Sequence, residues 1–286
     1  MADTVKSGGR LLTDEELKKL QKIFLEMAEE VDEVCRKNNI VMMLSGGSVL
    51  GAVRHHGFIP WDDDLDINIP RKDFEKFKKV FRKELGEKYK LYAPNYHHTA
   101  IYRIGKIENP DVSLIDKFGN RHGLMLDIFP IENVPESAVL QYIIGIRSSA
   151  LMWVGIRVFE YECRNNKNYH ISAGKRILGK IFSFRPSWKW FDLADYAVRY
   201  PKETSLVGIP AGRGHYFKEI YRRADMLPVE YVDFEDTKMP VPNNADAYLS
   251  KLYGDYMVIP EESKRERHKI WDLQFTKNSS DSGTHM

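Results

Sequence analysis

The run Asp62-Asp63-Asp64-Leu65-Asp66 leads without a break into Ile67, Asn68 and Ile69, so a dense block of carboxylates must open an apolar strand. On an extended chain successive side chains alternate faces, which puts Asp64 and Asp66 on one side and Leu65 on the other, toward a core. Carboxylates sharing a face repel each other, and a divalent cation with oxygen ligands offsets that repulsion directly. A solvated acidic turn is the bland reading. Against it, Trp61 precedes the run and the apolar strand follows it, which is not the setting of free loop charges. Asp62 has the parity of Asp64 and Asp66 and is a further candidate, as a ligand or as the neighbour of one. Asp63 points the other way and reads as structural.

Helical and strand patterns alternate around this run. Thr13 with Glu16 has the form of a capping box, and Leu17, Leu20, Phe24, Met27, Val31 and Val34 recur at the spacing of one buried helical stripe. The pattern predicts a helix over 15–38, a buried strand over 40–44, a short helix over 49–55, a strand over 65–69 and a helix over 71–85 entered through Pro70. Residues 89–129 read as short β runs, with turns at Asn109-Pro110 and Phe118-Gly119-Asn120. After Pro135 the chain reads as mainly helical, with a hairpin between Pro228 and Pro242 and a helix over 245–252. The sum is an α/β (α+β) chain with a mixed sheet, flanking helices and a helical second half. The expected division is a catalytic core over 15–135 and a substrate-recognising region over 136–277 packed on it. Residues 1–14 and 278–286 read as disordered ends.

Two further elements bear on chemistry. Ser45-Gly46-Gly47-Ser48 stands at a predicted helix start, where glycines let a phosphate approach the backbone and helix amides plus the Ser48 hydroxyl can donate to it. Alone, such a turn is more often only a turn; followed by an Asp-x-Asp strand, it reads as a phosphate seat facing a metal site. Asp127 interrupts the apolar run Leu124-Met125-Leu126-Asp127-Ile128-Phe129, and a buried carboxylate is costly unless it is paired or bound to metal. It is either another metal ligand from a separate strand or half of an ion pair with Arg103 or Arg121. Arg54 is a candidate phosphate clamp or a cation complementing a helix C-terminus. Lys106 and Arg103 are weaker candidates for donor binding, and His97-His98 a weak metal candidate, since adjacent histidines on a strand face apart.

The segment from Leu44 to Ile69, with Gly51-Ala52-Val53-Arg54-His55 followed by Gly57-Phe58-Ile59-Pro60-Trp61-Asp62-Asp63-Asp64, resembles the LicD family, which includes bacterial phosphorylcholine transferases and is related to fukutin-type enzymes. The stretch Gly123–Pro130 and the block Tyr248–Tyr256 with Pro260 and His268 agree. The resemblance implies a nucleotidyltransferase-like fold of the polymerase-β type. It implies a glycine-serine turn at Gly46, Gly47 and Ser48 for donor phosphates. It also implies Mg²⁺, or Mn²⁺, held by Asp64, Asp66 and Asp127. The implied donor is a CDP-activated alcohol, CDP-choline being the commonest case, and the acceptor a sugar hydroxyl of a cell-surface glycan or teichoic-acid precursor. Asp127 would also take the acceptor's proton. The alternatives are a nucleotidyltransferase that releases pyrophosphate and a non-catalytic glycan- or choline-binding module.

A choline group calls for aromatic faces, and Trp153, Trp188, Trp190, Tyr216, Tyr253 and Tyr256 are candidates, with core packing as the ordinary role of each. Between Cys163 and Phe191 stand Arg164, Lys167, Lys175, Arg176, Lys180, Arg185 and Lys189 with no acidic residue, interleaved with Ile177, Ile181 and Trp188. Such a segment suits an anionic membrane face, a core-packed basic helix or an anionic glycan patch. A net charge of +2 speaks against nucleic acid as a partner. Cys35 and Cys163 form no disulfide framework, and no run nears the ~18–20 uninterrupted apolar residues of a membrane span. The expected location is therefore the cytoplasm, with peripheral contact at the inner face of the membrane if 163–191 binds lipid.

Overall fold

In the computed structural model, which describes residues 9–96, 104–115, 119–163 and 171–276, the capping box forms as the sequence requires. Thr13 Oγ1 accepts the Glu16 amide at 3.2 Å and the Glu16 carboxylate accepts the Thr13 amide at 2.9 Å, opening helix α1 (Asp14–Lys37). Its stripe from Leu20 through Phe24, Met27 and Val31 is buried in the main core. Strand β1 (Met43–Leu44) is shorter than expected, because the chain before it is held in a loop where the Val41 amide donates to the Asp73 carboxylate at 3.0 Å. Helix α2 (Gly46–His55) begins earlier than expected, so the glycine pair forms its first turn. Strand β2 (Asp66–Pro70) and helix α3 (Arg71–Glu84) follow.

Strands β3 (Lys90–Tyr92), β4 (Gly105–Ile115) and β5 (Arg121–Val134) form the middle of the sheet. Asn109-Pro110, expected as a turn, lies inside β4. The register to β5 shifts between Asn109 and Ser113, and a proline, which has no N–H for the ladder, is tolerated at such an irregularity. Arg103, His97, His98 and Phe118 lie outside the described residues, as do 1–8 and 277–286 at the ends. Arg10, expected within a disordered end, pairs with Ile270 in an antiparallel bridge.

Helices α4 (Ala138–Glu162), α5 (Ala173–Phe182) and α6 (Ser187–Val198) come next. They lead to β6 (Leu206–Gly208), α7 (His215–Lys218), β7 (Ile220–Arg222) and α8 (Arg223–Met226). The hairpin β8 (Glu230–Phe234) and β9 (Thr237–Val241), helix α9 (Ala245–Tyr253) and strand β10 (Asp272–Phe275) complete the order. The main sheet runs β1-β2-β5-β4-β10, with β3 also on β4, β6 on β5 and β7 on β6. The β2–β5 pair is parallel and the other pairs are antiparallel. This is a mixed sheet with flanking helices, the α+β arrangement expected of a nucleotidyltransferase-like fold. The second half supplies three of its strands, each too short to leave a periodic trace in sequence.

A buried ionic network docks α6 on this core. Arg71 donates to Glu132 at 2.7 Å and to Asp195 at 2.6 Å, and Arg199 reaches Asp195 and Glu75 at 2.5 and 3.2 Å. Glu132 and Asp195 are both buried. Beyond α6 lies α4. Arg147 and Arg157 interrupt the apolar run, yet this 25-residue helix is long and apolar enough by composition to cross a membrane. It packs on α5 and α6, with Arg147 donating to the Ala197 carbonyl at 2.8 Å. Val139, Ile143, Ile146 and Trp153 remain on an exposed stripe.

Candidate active site

The small-residue turn and the acidic strand are built as one unit. Ser45 N–H donates to the Asp66 carbonyl and Asp66 N–H donates to Ser48 Oγ, both at 2.9 Å. Both main-chain groups of Asp66 are thus clasped by the turn, which fixes where its carboxylate projects. Gly46 adopts φ +48°, a conformation that favours glycine, and its amide donates to the Tyr248 hydroxyl at 2.9 Å. At Gly47 a Cβ would stand 2.9 Å from Asp62 Oδ2, so the absent side chain is what lets the two segments meet. The Asp62 loop is pinned from α1, where Gln21 donates to the Asp62 carbonyl at 2.9 Å.

A cavity of about 380 Å³ opens over this unit, and its wall includes Gly46, Gly47, Asp62, Asp64 and Asp66 but not Asp63. The alternation expected of the acidic run is therefore present. Ser48 is buried and is not part of the wall; its oxygen accepts the Asp66 amide, so it holds the strand. Ser48 N–H is likewise spent on the Ser45 carbonyl at 2.9 Å. Among the described residues the Gly47 amide is the one of these first three with no acceptor.

Asp127 is set beside Asp66 by strand register, since β2 and β5 pair Asp66 with Asp127 and β5 and β4 pair Asp127 with Lys106. The three side chains form a row across adjacent strands. Lys106 Nζ donates to both Asp127 oxygens, at 2.6 and 2.7 Å. The ion-pair partner is thus Lys106, not Arg121, which bonds Ser113 at 2.7 Å. Asp127 itself is not part of the cavity wall.

Among the described residues no Lys, Arg or His forms an ion pair with Asp62, Asp64 or Asp66. Burial, with the charge of Asp64 and Asp63 adding to it, pushes the Asp62 carboxyl up to about 8. Burial and the Asp63 charge push Asp64 up to about 6. Burial raises Asp66 well above the usual range, with Asp64 and Asp127 adding to it. An all-oxygen, acidic set of this kind fits a hard divalent cation. A second grouping, Asp63, Asp64 and His268, brings ligand atoms within 4.8 Å of one another and could hold a metal ion. Both Asp63 oxygens, however, accept from His268, through Nδ1 at 2.7 Å and the main-chain amide at 3.0 Å. The bond to Asp63, with the charges of Asp63, Asp64 and Asp62 adding to it, raises His268 to about 9. That pair ties the C-terminal segment to the acidic loop.

Arg54 reaches the cavity wall from the last turn of α2. It donates to the Tyr256 carbonyl at 2.6 Å, so it braces the C-terminal segment, and burial lowers its pKa. Of the aromatic candidates, Tyr253 and Tyr256 line the cavity, whereas Trp153, Trp188, Trp190 and Tyr216 do not. Wall residues not singled out in sequence include Arg213, Glu219, Lys264, Arg265 and Glu266. Arg265 stacks over Trp61 at 4.2 Å, and Arg213 is held by Glu266 at 2.6 and 2.8 Å. Arg213, Glu219 and Arg265 stand far from the acidic run in sequence and belong to no local pattern, so only the fold brings them there.

Residues 39–144 match the family model described as LicD/FKTN/FKRP, nucleotidyltransferase domain. The chain carries a LicD-family domain. That domain holds the turn, the acidic run and Asp127. Similarity to a relative extends further: the lipopolysaccharide cholinephosphotransferase LicD of Haemophilus influenzae is 27% identical over 257 residues, spanning 89% of this chain and 96% of that protein. An uncharacterized protein of Rickettsia typhi is 40% identical over 81 residues, 28% of this chain and 24% of its own. Another, from Rickettsia prowazekii, is 32% identical over 118 residues, 38% of this chain and 42% of its own.

Proposed function

We propose that this LicD-domain protein transfers a phospho-alcohol group, phosphocholine first among them, from a CDP-activated donor to a hydroxyl of a cell-surface glycan precursor. The observation that carries this reading is the glycine turn and the carboxylates of Asp62, Asp64 and Asp66 on one cavity wall, with Asp127 and Lys106 in register beside Asp66. The cholinephosphotransferase relative, aligned over most of both chains, supports the choice of group. Asp64, Asp66 and Asp127 would hold magnesium or manganese, which when bound supplies neutralising charge for the phosphates and acidifies the acceptor hydroxyl. The protein's own part is positioning and charge. Gly47 offers an amide and a close approach to a phosphate oxygen. Arg213 and Arg265 bring cations to the same wall, and Lys106 withholds the Asp127 carboxylate until the acceptor hydroxyl needs a proton acceptor.

The test is product analysis with purified protein, Mg²⁺, CDP-choline and a glycan acceptor. Release of CMP with a phosphocholine-bearing product is expected. The family model's description as a nucleotidyltransferase domain favours a second reading, transfer of NMP; release of pyrophosphate from a nucleoside triphosphate, with no CMP, would replace our reading with it.

The acceptor is proposed to be lipid-linked and reached at a membrane face. Helix α5, which packs on α4, likewise exposes Ile177 and Ile181 beside exposed Arg176 and Lys180. Apolar side chains rimmed by cations suit an anionic bilayer surface. Co-sedimentation with vesicles that contain anionic lipid, and not with neutral ones, is expected. Equal binding to both would remove the electrostatic part of this reading.

A further inference from the structure

Among the described residues outside the acidic run, buried carboxylates face cations, with one exception. Asp32 has Arg36 at 2.9 Å, Asp195 has Arg71 at 2.6 Å and Glu160 has Arg157 at 2.8 Å. Glu132 has Arg71, and Glu108 has Lys90 at 3.7 Å. Glu219 is 1% exposed, and among the described residues no Lys, Arg or His forms an ion pair with it. Its carboxylate accepts the Gly214 amide. Arg213, on the same wall, bonds Glu266 instead and stands over the Tyr253 ring at 5.8 Å.

Glu219 is also aimed. It sits between α7 and β7, its amide donating to the His215 carbonyl and its carbonyl accepting the Ile209 amide, so its main chain is fixed on both sides. Its side chain forms part of the cavity wall with Gly212, Tyr248 and Tyr253. A Cβ at Gly212 would stand 2.5 Å from both carboxylate oxygens, so the loop wraps the carboxylate only because glycine is there. An unpaired buried carboxylate is expensive, and the ordinary remedy is a partner of opposite charge. Here the place for that partner is the cavity.

We propose that Glu219, with Tyr248 and Tyr253 on the same wall, receives a cationic head group of the donor's alcohol, a quaternary ammonium above all, and so selects charged alcohols over polyols. Aromatic faces replace the lost hydration of such a cation, and the carboxylate supplies its charge. Burial pushes the Glu219 carboxyl up to about 7; a bound cation would draw it back down. This assignment rests on the transfer reading above, but its test does not.

The experiment titrates the full chain with tetramethylammonium chloride, choline and 3,3-dimethylbutan-1-ol, the uncharged carbon isostere of choline, by calorimetry. The wild type is expected to bind the cations about tenfold or more tighter than the isostere, and E219Q to lose that preference while melting at an equal or higher temperature. In transfer assays E219Q is expected to raise KM for CDP-choline and leave CDP-glycerol unchanged. Equal wild-type affinity for choline and its isostere overturns the assignment even if E219Q fails to fold, and so does an E219Q that keeps the preference. If the wild type binds tetramethylammonium through Glu219 but transfers from no CDP-alcohol, the transfer reading falls and the cation site stands.

Discussion

Asp66 is the residue on which most of the site depends, because its two main-chain groups anchor the turn and its carboxylate stands among three others. Asp66→Asn should remove a cation ligand and relieve repulsion together. The expected outcome is a fall in kcat of ~10²–10³-fold, the scale of losing one preorganised charge-stabilising group. The melting temperature of the metal-free protein should hold or rise. Ser48→Ala tests the clasp, since it strands the Asp66 amide, and a buried unsatisfied donor costs about 1–3 kcal/mol; thermal unfolding would register it. At this scale the sequence was informative wherever local geometry rules. Parity alone separated Asp62, Asp64 and Asp66 from Asp63. It could not show that Ser48 would spend its oxygen on the strand, because that bond depends on how closely helix and strand approach. Nor could it find Glu219, whose meaning lies in the lack of a partner.

Among the elements, α2 and α6 are held by opposite means. Helix α2 fits through absence: a Cβ at Gly51 would stand 2.4 Å from the Gly57 carbonyl oxygen, and backbone does not yield as a side chain does. Gly51→Ala should therefore cost about 1–3 kcal/mol, the range for overpacking, read from denaturant unfolding. Helix α6 fits through charge. Arg71→Met leaves Glu132 and Asp195 facing each other without their shared cation, and breaking such a buried network costs about 3–5 kcal/mol. Loss of Trp fluorescence anisotropy on α6 together with lower stability would show the helix undocking; unchanged stability would mean the network is idle. The long elements were readable from periodicity and caps, α1 and α3 nearly to the residue. The strands β6, β7 and β10 were not, since three or four residues carry no period and are strands only through their partners.

At the level of the whole molecule, the titrating groups set opposing slopes in pH. Glu16, bonded to Arg10, is held down to about 2, so its contribution is present above its unfolded value near 4.5 and is lost as pH falls toward 2. Asp64, Asp62 and Glu219 are raised to about 6, 8 and 7. The unfolded chain releases these protons near pH 4 while the fold retains them, so stability falls as pH climbs through that window. His268, raised to about 9 by Asp63, contributes fully below its unfolded value near 6.5 and is lost as pH rises through 9. The protein freed of metal with EDTA should thus be most stable near pH 5 and lose stability toward pH 9. Added Mg²⁺ should restore most of the loss at pH 8 and little at pH 5. A melting temperature flat from pH 5 to 8 in EDTA would contradict the charge deficit.

The stretch after α9 first lines the cavity through Tyr256, Pro260, Arg265 and His268 and then seals the sheet by pairing β10 with β4. A protease nick near Glu262 would therefore free neither end: strand pairing would retain the distal piece while the roof above the ligand came loose. Clipped protein should elute and melt almost like the intact form yet hold nucleotide poorly, so an impaired preparation could pass every ordinary check of its integrity except a denaturing gel.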